Sequence, residues 1–283
     1  MKNKITIVLL LIVLLSFSGM VQAGLFWSAG SGDWATGSSW DVGTKPVAGD
    51  QAIILWNHTI TVTGNEYAGL IDLGYVANGT LNIAAGGSLT TETMHVGQTA
   101  EGNFEVGTLN VYGTAYAEQL FVANERANGR GVLNVYSGGV MTAGAWHCNI
   151  GNTGTQEGAG GRVNLKGTGS MNVNTTSDGI LMTANGHIDI EAGQLKVLGD
   201  YQSQLQGYIN AGLITSNGGN SSHCYPVVSY LDGYTYVKTE GCTCVTFLPA
   251  DLNRDCYVDM LDLAFLAQNW LDCTNPADSN CVQ

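Results

Sequence analysis

Basic residues are scarce in this chain. Ten Lys and Arg stand against 23 Asp and Glu, giving a formal net charge of −13 at pH 7. A surface with this balance repels phosphate backbones and anionic lipid headgroups, so nucleic acid is not expected as a partner. Acidic polysaccharides would meet the same repulsion unless calcium or local arginines offset it.

Long apolar runs are absent after the first residues. The one run, residues 5–17, follows Lys2 and Lys4 and precedes Val-Gln-Ala at 21–23. This is the pattern of a secretory signal peptide, so we expect 1–23 to be removed and the mature chain to be extracellular or attached to the cell surface. A membrane anchor is the alternative, but the run is short, and no later segment has the roughly 18 apolar residues of a membrane helix.

Seven cysteines predict disulfide chemistry in an oxidising compartment. Cys148 stands alone near the middle of the chain. The other six cluster in the last quarter: Cys224, Cys242, Cys244, Cys256, Cys273 and Cys281. They allow up to three disulfides, and the sequence does not choose among the connectivities.

Two short motifs recur between residues 71 and 190. One reads Gly-x-apolar-Asn-apolar and starts at Gly79, Gly107, Gly131 and Gly161. The other reads apolar-x-apolar followed by Gly or Ala and starts at Ile71, Met94, Leu120 and Cys148. Each alternates as a strand with one buried face does, so one repeat holds at least two short strands.

Such strands bury their apolar faces only when repeats stack in register. We therefore predict a mainly β protein with a right-handed parallel β-helix of four or five coils over 71–215, with corners at Gly86-Gly87 and Gly138-Gly139. A β-sandwich is the alternative. A helical solenoid is disfavoured because the repeats are rich in Gly, Thr and Asn.

Register within the repeats assigns side chains to faces. Cys148 takes the inward position of Met94 and Leu120, which predicts a small buried hydrophobe rather than a catalytic thiol. The motif asparagines are expected to form a structural ladder on the alternate face: Asn82, Asn110, Asn134 and Asn164.

Segments of variable length follow the second motif, and one edge of a solenoid is where a binding surface is most easily built. Their charged residues are Glu101, Glu105, Glu125, Arg126, Arg130 and Glu157; ordinary solvated loop charges are the alternative.

A glycosidase needs two positioned carboxylates and a lyase needs a base with charge stabilisation. His95, Arg126 and Arg130 are the nearest to a lyase set, but no cluster recurs, so we assign no catalytic residue.

The flanks of the repeats are predicted to close the solenoid. Trp27, Trp34 and Trp40 lie in 24–70 and are expected to cover the first coil, with stacking on sugar rings as the alternative. In 216–247, Asp232-Gly233 between alternating runs predicts a hairpin.

The stretch "FWSAGSGDWATGSSWDVGTKPVAGDQAIIL" and the glycine-rich repeats after it resemble autotransporter-type and pectate-lyase-like parallel β-helix proteins over residues 24–215. The resemblance implies an extracellular protein of the bacterial surface. Nothing at the C-terminus resembles the membrane barrel of an autotransporter.

A loop near the C-terminus, "DLNRDCYVDMLD" at 251–262, predicts a calcium site. Calcium loops place oxygen ligands at positions 1, 3, 5, 7, 9 and 12. These positions hold Asp251, Asn253, Asp255, the Tyr257 carbonyl, Asp259 and Asp262. The following "LAFLAQNWL" has the spacing of an amphipathic helix.

This loop and helix resemble the calcium-binding repeat of type I dockerins, which implies Ca²⁺ and a cohesin-like scaffold as partner for residues 248–283. Two features depart from the family pattern. Cys256 stands at position 6 where glycine is usual, and only one repeat of the usual two is visible. A solvated acidic turn is the alternative.

Two functions therefore remain. The first is a secreted, non-catalytic β-helix for adhesion, structure or glycan binding, attached to a scaffold or cell envelope through the calcium module. The second is a small polysaccharide lyase or glycoside hydrolase delivered by the same module; the fold alone does not assign this chemistry.

Overall fold

The fold is a parallel β-solenoid of about seven turns in a computed structural model. The structure describes residues 23–98, 105–123, 129–151, 160–176, 178–219 and 224–240, together with two helical residues, Leu263 and Leu266. The predicted mainly β solenoid is confirmed at this level, and the sandwich alternative is wrong.

Nineteen strands, one α-helix and one 3-10 turn have described bounds. The strands are β1 (Leu25–Trp27), β2 (Gly32–Asp33), β3 (Gln51–Ile54), β4 (His58–Val62), β5 (Asn65–Leu73), β6 (Gly79–Ile83), β7 (Ser88–Val96), β8 (Val106–Val111), β9 (Thr114–Val122), β10 (Arg130–Val135), β11 (Val140–Ile150), β12 (Gly160–Leu165), β13 (Ser170–Val173), β14 (Leu181–Met182), β15 (Gly186–Ile190), β16 (Gln194–Leu198), β17 (Ile214–Ser216), β18 (Tyr225–Leu231) and β19 (Tyr234–Glu240). The helix α1 is Gln202–Asn210, and Gly37–Ser39 form a 3-10 turn.

The strands form two sheets that the chain visits in turn. Sheet A has eleven strands in the order β1-β3-β5-β7-β9-β11-β13-β16-β19-β18, with β14 also beside β11. Sheet B has eight strands in the order β17-β15-β12-β10-β8-β6-β4-β2. All pairs are parallel except β16 with β19 and β18 with β19. This alternation between sheets is how a solenoid buries short strands.

The predicted hairpin is present at the end of sheet A. Strands β18 and β19 join through Asp232 and Gly233, which have φ of +51° and +82°. Both residue types tolerate the left-handed region that a two-residue hairpin turn requires. Strand β19 then adds to β16, and α1 contacts β17 and β18 beside it.

The core is built from columns of apolar side chains stacked in register. One column of sheet B is fully buried: Ile60, Leu81, Leu109, Leu133, Val163, Ile188 and Ile214. Burying a side chain of this size contributes about 2 kcal/mol. Because neighbours repeat from coil to coil, each column stabilises the register of the whole sheet.

The long strands of sheet A carry a slip in their alternation. In β7 the buried residues are Leu89, Thr91, Met94 and Val96, so the spacing is three residues between Thr91 and Met94. The same slip occurs in β9 and, as a bulge between Ala143 and His147, in β11. One strand therefore lines the core on both sides of the irregularity.

The solenoid has more turns than the four or five predicted. The additional turns come from segments without the full motifs, β1–β4 before the repeats and β14–β17 after them. Strand β15 reads Gly-His-Ile-Asp-Ile and pairs in register with β12, placing Asp189 beside Asn164. The repeat therefore continues with Asp in place of Asn.

The first glycine of the repeat motif is required by a close approach of the two sheets. A Cβ at Gly131 would lie 2.1 Å from the carbonyl oxygen of Val96, and one at Gly161 would lie 2.2 Å from that of Val122. Backbone atoms leave no room to relax such contacts. The corner glycines serve a different need, because Gly86 and Gly138 have φ of +81° and +79° as predicted.

The predicted asparagine ladder is present. Each side-chain amide donates to the amide oxygen one coil earlier, from Asn110 to Asn82 at 2.9 Å, from Asn134 to Asn110 at 2.8 Å and from Asn164 to Asn134 at 2.8 Å. The four residues lie at corresponding register positions of sheet B. The ladder links successive coils, as a structural role requires.

Cys148 faces the core as predicted, in register with Met94 and Leu120. It is a free thiol, 1% exposed, and burial raises its pKa to about 12. We expect it to resist thiol reagents in the folded protein, because the thiolate is the reactive form. In denaturant the Cys148 thiol should become reactive, and this additional labelling should be missing from Cys148→Ala. Rapid labelling of Cys148 in the folded chain would contradict the inward placement.

Candidate functional site

The six predicted calcium positions, 251, 253, 255, 257, 259 and 262, lie outside the described residues. Within the described part of the chain, no group of three or more His, Cys, Asp and Glu could hold a metal ion. Of the charged loop residues singled out from the sequence, Glu101, Glu125, Arg126 and Glu157 also lie outside it.

One corner of the solenoid, here called the loop edge, carries all the segments of variable length. Each connects a strand of sheet A to the next strand of sheet B. Its described residues are 55–57, 74–78, 97–98, 105, 123, 129, 151 and 183–185. Since successive coils stack about 4.8 Å apart, the described residues of this edge follow one another along the solenoid.

An aromatic group lies at the N-terminal end of the loop edge. Trp56 is 55% exposed and stacks on Trp27, with ring centroids 6.3 Å apart and an interplanar angle of 27°. Tyr75 meets Trp27 edge to face at 6.4 Å. The group therefore presents a broad flat apolar surface to solvent beside polar backbone.

The backbone at Trp56 is in an unusual conformation for a bulky residue. Trp56 and Asn57 have φ of +58° and +61°, and the His58 N–H donates to the Leu55 carbonyl at 3.0 Å. This is a tight turn whose central positions normally favour Gly or Asn. A non-glycine residue in the left-handed region costs about 1 to 2 kcal/mol. Strain held at an exposed aromatic residue points to a role outside folding.

Further along the loop edge, two arginines and a histidine line a cleft of about 270 Å³. Arg162 and His187 are direct neighbours across β12 and β15, and Arg130 begins β10, the next strand on the other side of β12. Three glycines in the lining, Gly131, Gly160 and Gly161, add no side chains to it. A cluster of this charge is unusual in a chain with so few basic residues.

Hydrogen bonds determine which ring nitrogen of His187 carries the proton. The Thr215 hydroxyl donates to Asp189 at 2.7 Å, so the His187 Nε2–H donates to that hydroxyl, at 3.1 Å. Burial, followed by the charge of Arg162, lowers the pKa of His187, while Asp189 opposes the shift. A neutral ring protonated on Nε2 leaves Nδ1 as an acceptor. Nδ1 is buried and has no partner among the described residues.

His95, named above for a lyase, lies on the outer face of sheet A and pairs with Asp72. Its Nδ1 donates to Asp72 Oδ1 at 2.7 Å, and Gln51 Nε2 donates to Asp72 Oδ2 at 2.7 Å. The Asp72 residue is 2% exposed. A carboxylate that orients a histidine is one component of general-base chemistry.

The surroundings of this pair are less suited to polysaccharide cleavage. The next outer residues in register with His95 are Phe121 and Asn149, which supply neither a carboxylate nor a cation. On the same sheet, Glu118 accepts from the Tyr116 hydroxyl and from the Ala145 N–H. That hydrogen bond, then burial, raises the pKa of Tyr116 to about 12. Glu118 thus serves the bulge in β11.

No family model, curated protein or solved structure matches the chain. Among the described residues no helix has the length and apolar character needed to span a membrane.

Proposed function

We propose that the protein is a secreted, non-catalytic β-solenoid that binds glycan at its loop edge and is attached to a scaffold or cell envelope by its C-terminal calcium module. The observation that carries glycan binding is Trp56, exposed beside Trp27 in a strained turn. Flat aromatic rings with adjacent polar groups suit sugar rings, which offer apolar faces and hydroxyl edges.

Secretion is supported by the apolar N-terminal segment and by Cys224, which is disulfide-bonded. Disulfides persist in oxidising compartments. We further propose that Trp34 and Trp40 cap the N-terminal coil. They are 0% and 2% exposed, their rings meet at 5.0 Å, and both belong to the hydrophobic core.

Attachment through residues 248–283 rests on the spacing of the six oxygen ligands and the resemblance to dockerins. In this account the module holds Ca²⁺ and binds a cohesin-like partner. Capture of a scaffold protein by the full mature chain from the native secretome, lost on adding a chelator, would support it. Equal recovery with and without chelator would count against calcium-dependent attachment.

Replacing Trp56 by glycine tests the glycan site. Affinity for a bound glycan should fall by about tenfold or more, as when a central aromatic is removed from a binding surface. The free energy of unfolding should not fall in proportion, because glycine relieves the strain at φ of +58°. Affinity electrophoresis and urea unfolding give the two readouts.

Trp146→Ala is the matched control, since Trp146 is 61% exposed but lies in the β11 bulge of sheet A, away from the loop edge. If the two variants lose affinity equally, or neither loses any, the aromatic group is not the binding site.

A polysaccharide lyase or glycoside hydrolase is the second candidate, favoured by the Asp72–His95 pair. Its test is turnover on plant and algal polysaccharides by the full chain. Activity lost in His95→Ala, with folding retained, would establish this candidate over the first.

A further inference from the structure

We propose that the cleft lined by Arg130, Arg162 and His187 is a subsite for the anionic group of an acidic glycan unit, a carboxylate or a sulfate ester. The inference rests on the proposed glycan binding at the loop edge and specifies the class of sugar bound there. The cleft is a local group of positive charges in a chain whose net negative charge would otherwise repel such a polymer.

The positive charge of the cleft fits a planar or tetrahedral anion. Arg162 is exposed, and a guanidinium presents paired N–H donors that match carboxylate and sulfate oxygens. Arg130 lines the same cleft from β10.

His187 adds a hydrogen-bond acceptor, which a simple anion cannot satisfy. Its Nδ1 is a buried acceptor without a partner among the described residues, in a residue that lines the cleft. Leaving such an acceptor unpaired is costly, and a ligand hydroxyl would satisfy it. A sugar acid carries both groups on one ring, so its anionic group would meet Arg162 while a hydroxyl donates to Nδ1.

Register places this cleft in line with the aromatic group. Trp56 lies just before β4, Arg162 lies on β12, four strands further along sheet B, and His187 lies on β15, the next strand after β12. All three are at the same end of the sheet B strands. Coils spaced by about 4.8 Å nearly match the rise of one sugar residue in an extended polysaccharide. A polysaccharide lying along the loop edge would therefore stack a sugar ring on the aromatic group at one end and place an anionic group at the arginine cleft at the other.

The test compares Arg162→Ala with Lys238→Ala in the full mature chain. Lys238 is exposed on β19, so each variant loses one positive charge. Only Arg162→Ala removes a side chain that lines the cleft. The probes are polygalacturonate and its methyl ester, and a sulfated galactan and its desulfated form. Binding is measured by affinity electrophoresis at fixed ionic strength, with thermal unfolding as the check on folding.

We expect wild type to prefer one charged polymer over its neutral form, which identifies carboxylate or sulfate. Arg162→Ala should reduce that binding about tenfold or more, and Lys238→Ala less than about twofold. Equal losses in the two variants, or no preference for either charged polymer, would overturn the inference. If neutral glycans still bind through Trp56, the proposed function survives that failure; if no glycan binds, both fail.

Discussion

Gly131→Ala is expected to lower the free energy of unfolding by about 3 kcal/mol, the upper range for overpacking a core. The new methyl group would stand 2.1 Å from the Val96 carbonyl oxygen and 2.6 Å from the Ala123 N–H nitrogen. Both are backbone atoms held by the parallel ladders of neighbouring coils, so the sheets would have to separate. Urea unfolding followed by circular dichroism measures the change.

Gly207→Ala is the control, because a Cβ at Gly207 meets nothing within 4 Å and the residue lies inside α1. Alanine there should stabilise the protein by up to about 1 kcal/mol through helix propensity. If Gly131→Ala unfolds at the same urea concentration as wild type, the close packing of the two sheets at the loop edge is wrong.

Asp251→Ala and Asp262→Ala are each expected to abolish calcium binding by the full mature chain. The first removes the carboxylate at loop position 1, and the second removes the ligand at position 12, which closes the coordination sphere. A hard cation depends on its charged oxygen ligands, so removing one carboxylate loses most of the affinity. Isothermal titration calorimetry with CaCl₂ gives the measurement.

Asp178→Ala supplies the comparison, since Asp178 is an exposed acid of the solenoid, outside the loop. It should bind calcium as wild type does. Equal affinity in wild type and both loop variants, or no binding by wild type, would refute the assignment of residues 251–262.

The repeat motifs are sufficient to predict the solenoid because each position has one physical task. The apolar residues fill the core columns, Asn forms the ladder and Gly permits the approach of the sheets. Alignment of the motifs also places Cys148 correctly on the inward face of sheet A. The spacing of the motifs can be read from the sequence, and aligning the motifs gives the register between coils.

The solenoid turns and site residues that the motifs did not predict have one feature in common: their sequences depart from the motif. Strand β15 has Asp189 where the pattern has Asn, so the motif does not single out its His187. In β7 and β9 the inward positions before the slip include small or polar residues such as Thr91 and Ala117, which hide the alternation. Asp72 and His95 occupy the same motif position, a signal that is recognisable only once the coils are known to stack.

Spatial clusters depend on which coils become neighbours and on local backbone geometry. Arg162 and His187 are 25 positions apart in sequence, and their contact follows from pairing of β12 with β15. The left-handed conformation of Trp56 has no sequence signature, because bulky aromatics are rare in such turns.

Incubating the full mature chain with polygalacturonate and sulfated galactan tests whether the loop edge binds an acidic glycan without cleaving it. Retention in affinity electrophoresis and the release of unsaturated products and reducing ends are followed in the same samples. We expect retention that depends on Trp56 and Arg162 and no release of product. Sustained product release that disappears in His95→Ala would contradict this expectation.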